Sequence, residues 1–98
     1  MDRIKLKGYI GIANKAGFLV IGGDNLENYN KKLFLLLIDK NSGKNLKKIT
    51  YNLKEEKNIN IYELDNLNEL VGIENCKAIG IRNKGLSDKI KILIEEGE

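Results

Sequence analysis

Leu33-Phe34-Leu35-Leu36-Leu37-Ile38 is the longest unbroken apolar run in the chain, and its reading decides the fold. A membrane-spanning helix takes about 20 such residues, so this run is far too short to cross a bilayer. A brief apolar stretch without polar alternation reads as a strand buried on both faces, at the centre of a sheet. Such a strand needs helices above and below it. The flanking sequence supplies them on both sides.

Upstream stands Leu19-Val20-Ile21-Gly22-Gly23-Asp24-Asn25-Leu26. Phe18 to Ile21 reads as the first strand, stopped by a glycine pair that lets the backbone turn with φ > 0 or approach a neighbour closely. Asp24 is the expected N-cap of a polar helix reaching about Lys32, with Leu26 and Tyr29 turned inward. On its own this is a strand-to-helix turn that requires no ligand. Exposed helix-start amides beside glycines also suit an anion or the edge of a nucleic acid. Earlier still, Leu6, Ile10, Ala13 and Ala16 or Gly17 recur at helical spacing over residues 3–16. Tyr9 and Ile12 widen that stripe, and Gly17 is the C-cap candidate.

Downstream of Asp39, Ser42 is the expected N-cap of a helix from about Gly43 to Lys57. Its seam is Leu46, Ile49 and Leu53, with Lys47, Lys48, Lys54 and Lys57 outside it. Ile59, Ile61 and Leu64 are spaced for a strand. Asp65 or Asn66 then caps a short helix carrying Leu67, Leu70 and Val71, closed by Gly72. The last strand lies within Lys77 to Arg82, around Ala78, Ile79, Gly80 and Ile81. Asn83-Lys84-Gly85 reads as a turn, and Ser87 or Asp88 as the start of a helix with Ile90, Leu93 and Ile94. Glu55-Glu56 and Glu95-Glu96-Gly97-Glu98 read as solvated faces or a frayed tail. Strands alternating with helices give an α/β, three-layer α/β/α sandwich, one domain over residues 1–98.

Composition narrows the chemistry. One cysteine, Cys76, and no histidine exclude an internal disulfide, a cysteine–histidine zinc site and a histidine general base. Cys76 reads as a buried filler rather than a nucleophile. The N-terminal stretch from Ile4 to Ala16 is broken by Lys5, Lys7 and Lys15, so it is no signal peptide. A reducing cytoplasm is the expected location, with no membrane partner. Net charge is +3, divided unevenly: residues 1–50 carry ten basic against four acidic side chains, and residues 51–98 carry seven against ten. A basic half suggests an anionic partner. Fifteen of the seventeen basic residues are lysine, in a chain also rich in asparagine and isoleucine, as an AT-rich coding sequence yields on any soluble surface. The charge pattern alone therefore weighs little.

No catalytic constellation assembles. Gly22-Gly23 lacks the Lys-Ser/Thr of a phosphate-binding P-loop and the third glycine of a dinucleotide fingerprint. Asp39 ends the central strand without a paired acid, so helix capping is its expected role. Ser42 has no partner base. No enzyme activity and no cofactor are expected. What remains is the helix start at Gly22 to Asn25 and the loop Val71-Gly72-Ile73-Glu74-Asn75, both placed at one end of the sheet. Asparagine side chains and helix amides can reach base edges and phosphates, and Ile73 can pack on unstacked bases.

Gly11-Ile12-Ala13-Asn14-Lys15-Ala16-Gly17, Val20-Ile21-Gly22, the strand ending at Asp39 and Ser42, Gly72, and Asn83-Lys84-Gly85 follow a characteristic order. It resembles that of the small bacterial YlxQ-like relatives of the kink-turn-binding ribosomal proteins, the L-seven-Ae and L-thirty-e superfamily. The resemblance runs from about Lys7 to Leu93 and rests on order and spacing together. It implies an L-thirty-e-like sandwich with a mixed four-stranded sheet, and RNA binding through a Gly-x-Asn-Glu-x-x-Lys motif. On that motif Gly22 takes the glycine, Gly23 the variable position, Asp24 the asparagine, Asn25 the glutamate and Asn28 the lysine. Only the glycine matches. Phe18 and Ile21 also replace basic residues that precede it in the family.

The loop from Gly72 through Ile73, Glu74 and Asn75 to Cys76 matches the region that meets the bases flipped out at the kink. Lys15, Lys31 and Lys32 are the expected compensating phosphate contacts. The implied protein is a cytoplasmic, ribosome-associated monomer that binds structured RNA, ribosomal RNA among the candidates, and not DNA. The alternative is a protein-interaction module that kept the sandwich and lost RNA recognition. A continuous basic rim from Lys15 to Lys32 fits the first reading; an acidic or apolar surface around Asp24 and Ile73 fits the second.

Overall fold

In the computed structural model, which describes residues 1–97, helices and strands alternate throughout. They run α1 (Arg3–Lys15), β1 (Leu19–Ile21), α2 (Gly23–Asn28), β2 (Leu35–Asp39), α3 (Lys44–Lys57), β3 (Asn60–Leu64), α4 (Leu67–Val71), β4 (Ala78–Ile81) and α5 (Lys84–Glu96). The strands form one four-stranded mixed sheet in the order β1-β4-β2-β3. β4 is antiparallel to both β1 and β2, whereas β2 and β3 are parallel. The apolar run lies in the interior of the sheet, as its sequence requires, and every residue of β2 is buried.

Side chains on a strand alternate between faces, and here they divide the core in two. Leu35 and Leu37 of β2, with Ile79 and Ile81 of β4, meet α1, α4 and α5 through Leu6, Ile10, Leu67, Leu70, Ile90 and Ile94. Leu36 and Ile38 face the other way, with Val20, Ala78, Leu26 of α2 and Leu53 of α3. The three-layer α/β/α sandwich follows from that alternation. On the second face Ala78 and Gly80 are small, and α2 approaches closely. A Cβ at Gly80 would lie 2.7 Å from Leu26 Cδ2 and 3.1 Å from Leu33 Cδ2.

Local signals explain most boundaries. The Asp2 carboxylate accepts the Lys5 N–H (3.0 Å) at the start of α1. Gly17, at φ 76°, ends that helix. There the Gly17 N–H reaches the Asn14 carbonyl and the Phe18 N–H reaches the Ala13 carbonyl, a Schellman pair. Gly72, at φ 80°, closes α4. Cys76 is buried, as expected, and burial pushes its thiol pKa up.

Several expectations need correction. Ile12 does not widen the α1 seam; it is 55% exposed, because it lies about 200° around the helix from Ile10. α2 ends at Asn28, short of Lys32, where Tyr29 turns extended (φ −78°, ψ 116°). Asn28 and Asn30 are weak helix formers, and residues 29–34 must run back to the start of β2. The strand itself is shifted, covering Leu35–Asp39. Asp24 is not an N-cap: Gly22 holds that position, and Asp24 sits in the first turn. Gly43, not Ser42, caps α3 by position, since the Ser42 hydroxyl donates to the Asp39 carbonyl. Asn83-Lys84-Gly85 is no turn but the start of α5, because the Asn83 side chain accepts the Leu86 N–H (2.9 Å) and nucleates the helix earlier. Of the two readings of Glu95 and Glu96, the solvated face holds: both are helical and exposed, and Glu95 accepts a hydrogen bond from the Tyr62 hydroxyl (2.6 Å). Glu98 lies outside the described residues. Among those residues, no helix is long and apolar enough to cross a membrane.

Candidate nucleic-acid interface

β1, β2 and β3 all end where β4 begins, and short backbone bonds tie their exits together. The Gly22 N–H donates to the Ala78 carbonyl (3.0 Å), Asp39 N–H to Lys77 (2.8 Å) and Lys40 N–H to Leu64 (2.9 Å). Residues 22–25, 39–43, 65–66 and 72–77 therefore share one end of the sheet. α2, α3 and α4 all start there. Neither Gly22 at the start of α2 nor Gly43 at the start of α3 supplies a side-chain cap. Helix-start N–H groups carry partial positive charge and want acceptors, and α3 has no acidic residue in its first turn to provide one.

α4 is treated differently. Asn66, at its N-cap position, is left-handed (φ 51°) and its side chain makes no capping bond. The Asp39 carboxylate, 2% exposed, supplies the acceptor from across the sheet. One of its oxygens takes the Leu67 N–H (3.0 Å) and the other the Asn41 N–H (2.8 Å). Lys77 Nζ stands 3.9 Å away. Burial pushes the Asp39 pKa up, but the two amides and Lys77 together outweigh it and hold it below its ordinary value. The helix-capping role expected of Asp39 is thus fulfilled on a helix 28 residues away. The acid organises this end of the sheet without being part of its exposed surface.

The glycine pair divides its labour. Gly22 has φ 91° and ψ 153°, a region open in practice only to glycine, and nothing would obstruct a side chain there. Gly23 needs space instead: a Cβ would lie 2.7 Å from Leu46 Cδ1, so α3 comes close over the start of α2. Asp24, Asn25 and Asn28 are exposed. Asn25 Nδ2 donates to the Ile21 carbonyl (2.8 Å), which holds its amide against the end of β1. Asn25 and Asn28 line a shallow groove of about 400 Å³ with Leu19 and Tyr29. That groove runs along β1, an outer strand of the sheet.

The loop of residues 72–76 stands at the same end, as expected. Glu74 and Asn75 are exposed, and Asn75 is left-handed (φ 58°). Ile73 is half-buried and packs against the core on the face that α1, α4 and α5 cover, so it offers less free apolar surface than the sequence suggests.

The structure does not bring Lys15, Lys31 and Lys32 to this end. Lys15 closes α1 before β1 begins, and Lys31 and Lys32 precede β2. All three belong to the opposite end, where Phe34 N–H donates to the Ile81 carbonyl (2.9 Å) at the close of β4. The expected basic rim from Lys15 to Lys32 is therefore not continuous with the Gly22 helix start. The lysines that do neighbour it are Lys40, Lys44 and Lys77, all exposed. Lys40 follows β2, Lys44 opens α3, and Lys77 precedes β4. Lys40 pairs loosely with Asp65 (3.7 Å), and both are exposed. Sequence spacing hid this trio, because the residues are scattered along the chain and only the topology gathers them.

No family model matches this chain, and no curated protein does. Among solved structures it is similar to a protein of unknown function from Bacillus halodurans C. The likeness covers 93% of this chain and 97% of that one, at 23% identity and a TM-score of 0.84. At that identity the likeness establishes the shared fold alone.

Proposed function

We propose that this chain is a non-catalytic RNA-binding protein that recognises structured RNA of the kink-turn type. The observation that carries the reading is the convergence at one sheet end. There the Gly22 turn, the uncapped start of α3, the exposed asparagines of α2, the 72–76 loop and Lys40, Lys44 and Lys77 stand together. Amides and asparagines provide donors and acceptors for base edges, and the lysines provide phosphate contacts. The resemblance to the L-seven-Ae and L-thirty-e superfamily adds the expectation of a kinked RNA helix as ligand. A cytoplasmic, ribosome-associated role for a monomer fits the same reading.

Gly22 holds the α2 start in place, whereas Asn28 is the last residue of the helix, with an exposed side chain. Gly22→Val should therefore weaken RNA binding by about tenfold or more, corresponding to strain of about 1–3 kcal/mol at such a φ. Asn28→Ala should cost less than about threefold. Fluorescence titration of a labelled kink-turn RNA checks the order, with circular dichroism to verify that both variants fold. The reverse order would mean that the RNA does not meet the helix start.

A second reading, a protein-interaction module on the same fold, draws on Asp24 and Glu74. Both carboxylates are exposed on this end, and Asp24 occupies the position where the family motif has a neutral amide. Such a module would bind neither kinked nor straight RNA.

A further inference from the structure

The opposite end of the sheet holds a cavity of about 450 Å³, between the segment entering β2, the α3–β3 connection and the first turns of α5. Lys32, Lys57 and Lys91 line it, against the single acid Asp88. That acid is already engaged, its carboxylate lying 2.8 Å from Lys84 Nζ. Two of the three ammonium groups are positioned rather than loose. Lys57 Nζ donates to the Lys31 carbonyl (2.9 Å), and Lys32 Nζ stands 5.5 Å from the centre of the Phe34 ring.

Ser87 forms part of the same wall. It is 3% exposed, and its hydroxyl has no hydrogen-bond partner among the described residues. Buried polar groups are nearly always satisfied, as Asp39 and Thr50 are here. The oxygen itself is closed to solvent, so the side chain must turn about its Cα–Cβ bond into the cavity before its hydroxyl can meet an acceptor that enters. Phe34 offers a planar apolar surface beside it. The volume lies within the range of about 300–1,000 Å³ typical of small-ligand sites.

We propose that this cavity is a binding site for a phosphate monoester with a flat or apolar body, the chemistry of a mononucleotide. Lys32, Lys57 and Lys91 neutralise the phosphate, Ser87 turns about its Cα–Cβ bond to donate to one of its oxygens, and Phe34 receives the body of the ligand. The inference gives Lys32 a role apart from the candidate RNA-facing end and does not depend on it. The same phosphate chemistry is offered by a free mononucleotide and by the 5′-phosphorylated end of an RNA strand.

The test is a titration of the ¹⁵N-labelled full chain at low salt with inorganic phosphate, adenosine 5′-monophosphate, adenosine, and a 5′-phosphorylated RNA trinucleotide. The proposal expects saturable amide shifts at Phe34, Asn58, Ser87 and Asp88 with phosphate and the mononucleotide, at dissociation constants below about 10 mM. Adenosine should leave them unmoved. Tighter binding of the mononucleotide than of the trinucleotide identifies a free ligand, and the converse identifies a strand end. Ser87→Ala should weaken the mononucleotide by about fivefold and Lys91→Gln by about tenfold. Without ligand, Ser87→Ala should unfold at the same or a higher temperature, since it removes an unsatisfied group. Absence of saturation, equal shifts with adenosine, or undiminished binding by Ser87→Ala would overturn the proposal.

Discussion

Asp39→Ala should lower the folding stability of this protein by about 2–4 kcal/mol. The acid is 2% exposed and accepts the Leu67 and Asn41 N–H groups. The Asn41 amide can turn to water once the carboxylate is gone. Leu67 is fully buried, so its N–H is left without a partner inside the protein. Asp39→Asn keeps one acceptor oxygen and should lose about half as much. The pH dependence separates charge from shape. Asp39 has its folded pKa held below its ordinary value of 3.8, so the unfolded chain binds the proton first. Its contribution is whole above the unfolded value and is lost as pH falls through the folded one. Urea unfolding at pH 7 and at about pH 3 should therefore show the parent weakening on acidification more than Asp39→Asn. An equal loss in both proteins would remove Asp39 as the source.

Changing Lys40, Lys44 and Lys77 together to glutamine should weaken RNA binding by about 100-fold or more near 0.1 M salt. Each lysine that meets a phosphate releases counterions, so the slope of log K against log salt should also flatten by about 2–3. The matching change of Lys15, Lys31 and Lys32 should cost less than about threefold, because these residues stand at the other end of the sheet. Stability should hardly change in either variant. The Lys40–Asp65 pair is exposed on both sides, and Lys77 lies at a loose 3.9 Å from Asp39. If the second trio mattered as much as the first, the RNA would have to lie elsewhere.

The architecture was legible because the Leu33–Ile38 run, the helical seams and the two closing glycines Gly17 and Gly72 all agree with one layered arrangement. Strand and helix identities survive; their edges moved where a stronger local partner existed. The Asn83 side chain starts α5 a turn earlier than Ser87 or Asp88 would. Gly22 rather than Asp24 opens α2, because the chain leaves β1 in a conformation that only glycine takes readily. A glycine inside a strand often marks a close approach, and Gly80 is where Leu26 seats α2 against the sheet.

The site was legible in part. The shared end of the Gly22 turn and the 72–76 loop follows from strands that finish where β4 starts. The lysines do not follow from sequence, since proximity to the motif along the chain is not proximity in space. Six residues of α2 followed by extended backbone carry Lys31 and Lys32 away from Gly22. Lys40, Lys44 and Lys77 arrive beside it through three separate connections. Asp39 shows the same limit: its capping role can be read from its position at a strand end, but its partner Leu67 cannot.

Binding of a kink-turn duplex, measured by gel shift beside a fully paired duplex of the same length at about 50 and 200 mM salt, tests the central claim most directly. The account predicts that the kinked RNA binds at least about tenfold more tightly and that its affinity falls steeply with salt. Equal binding of the two duplexes, or no binding of the kinked one at the lower salt, would contradict it.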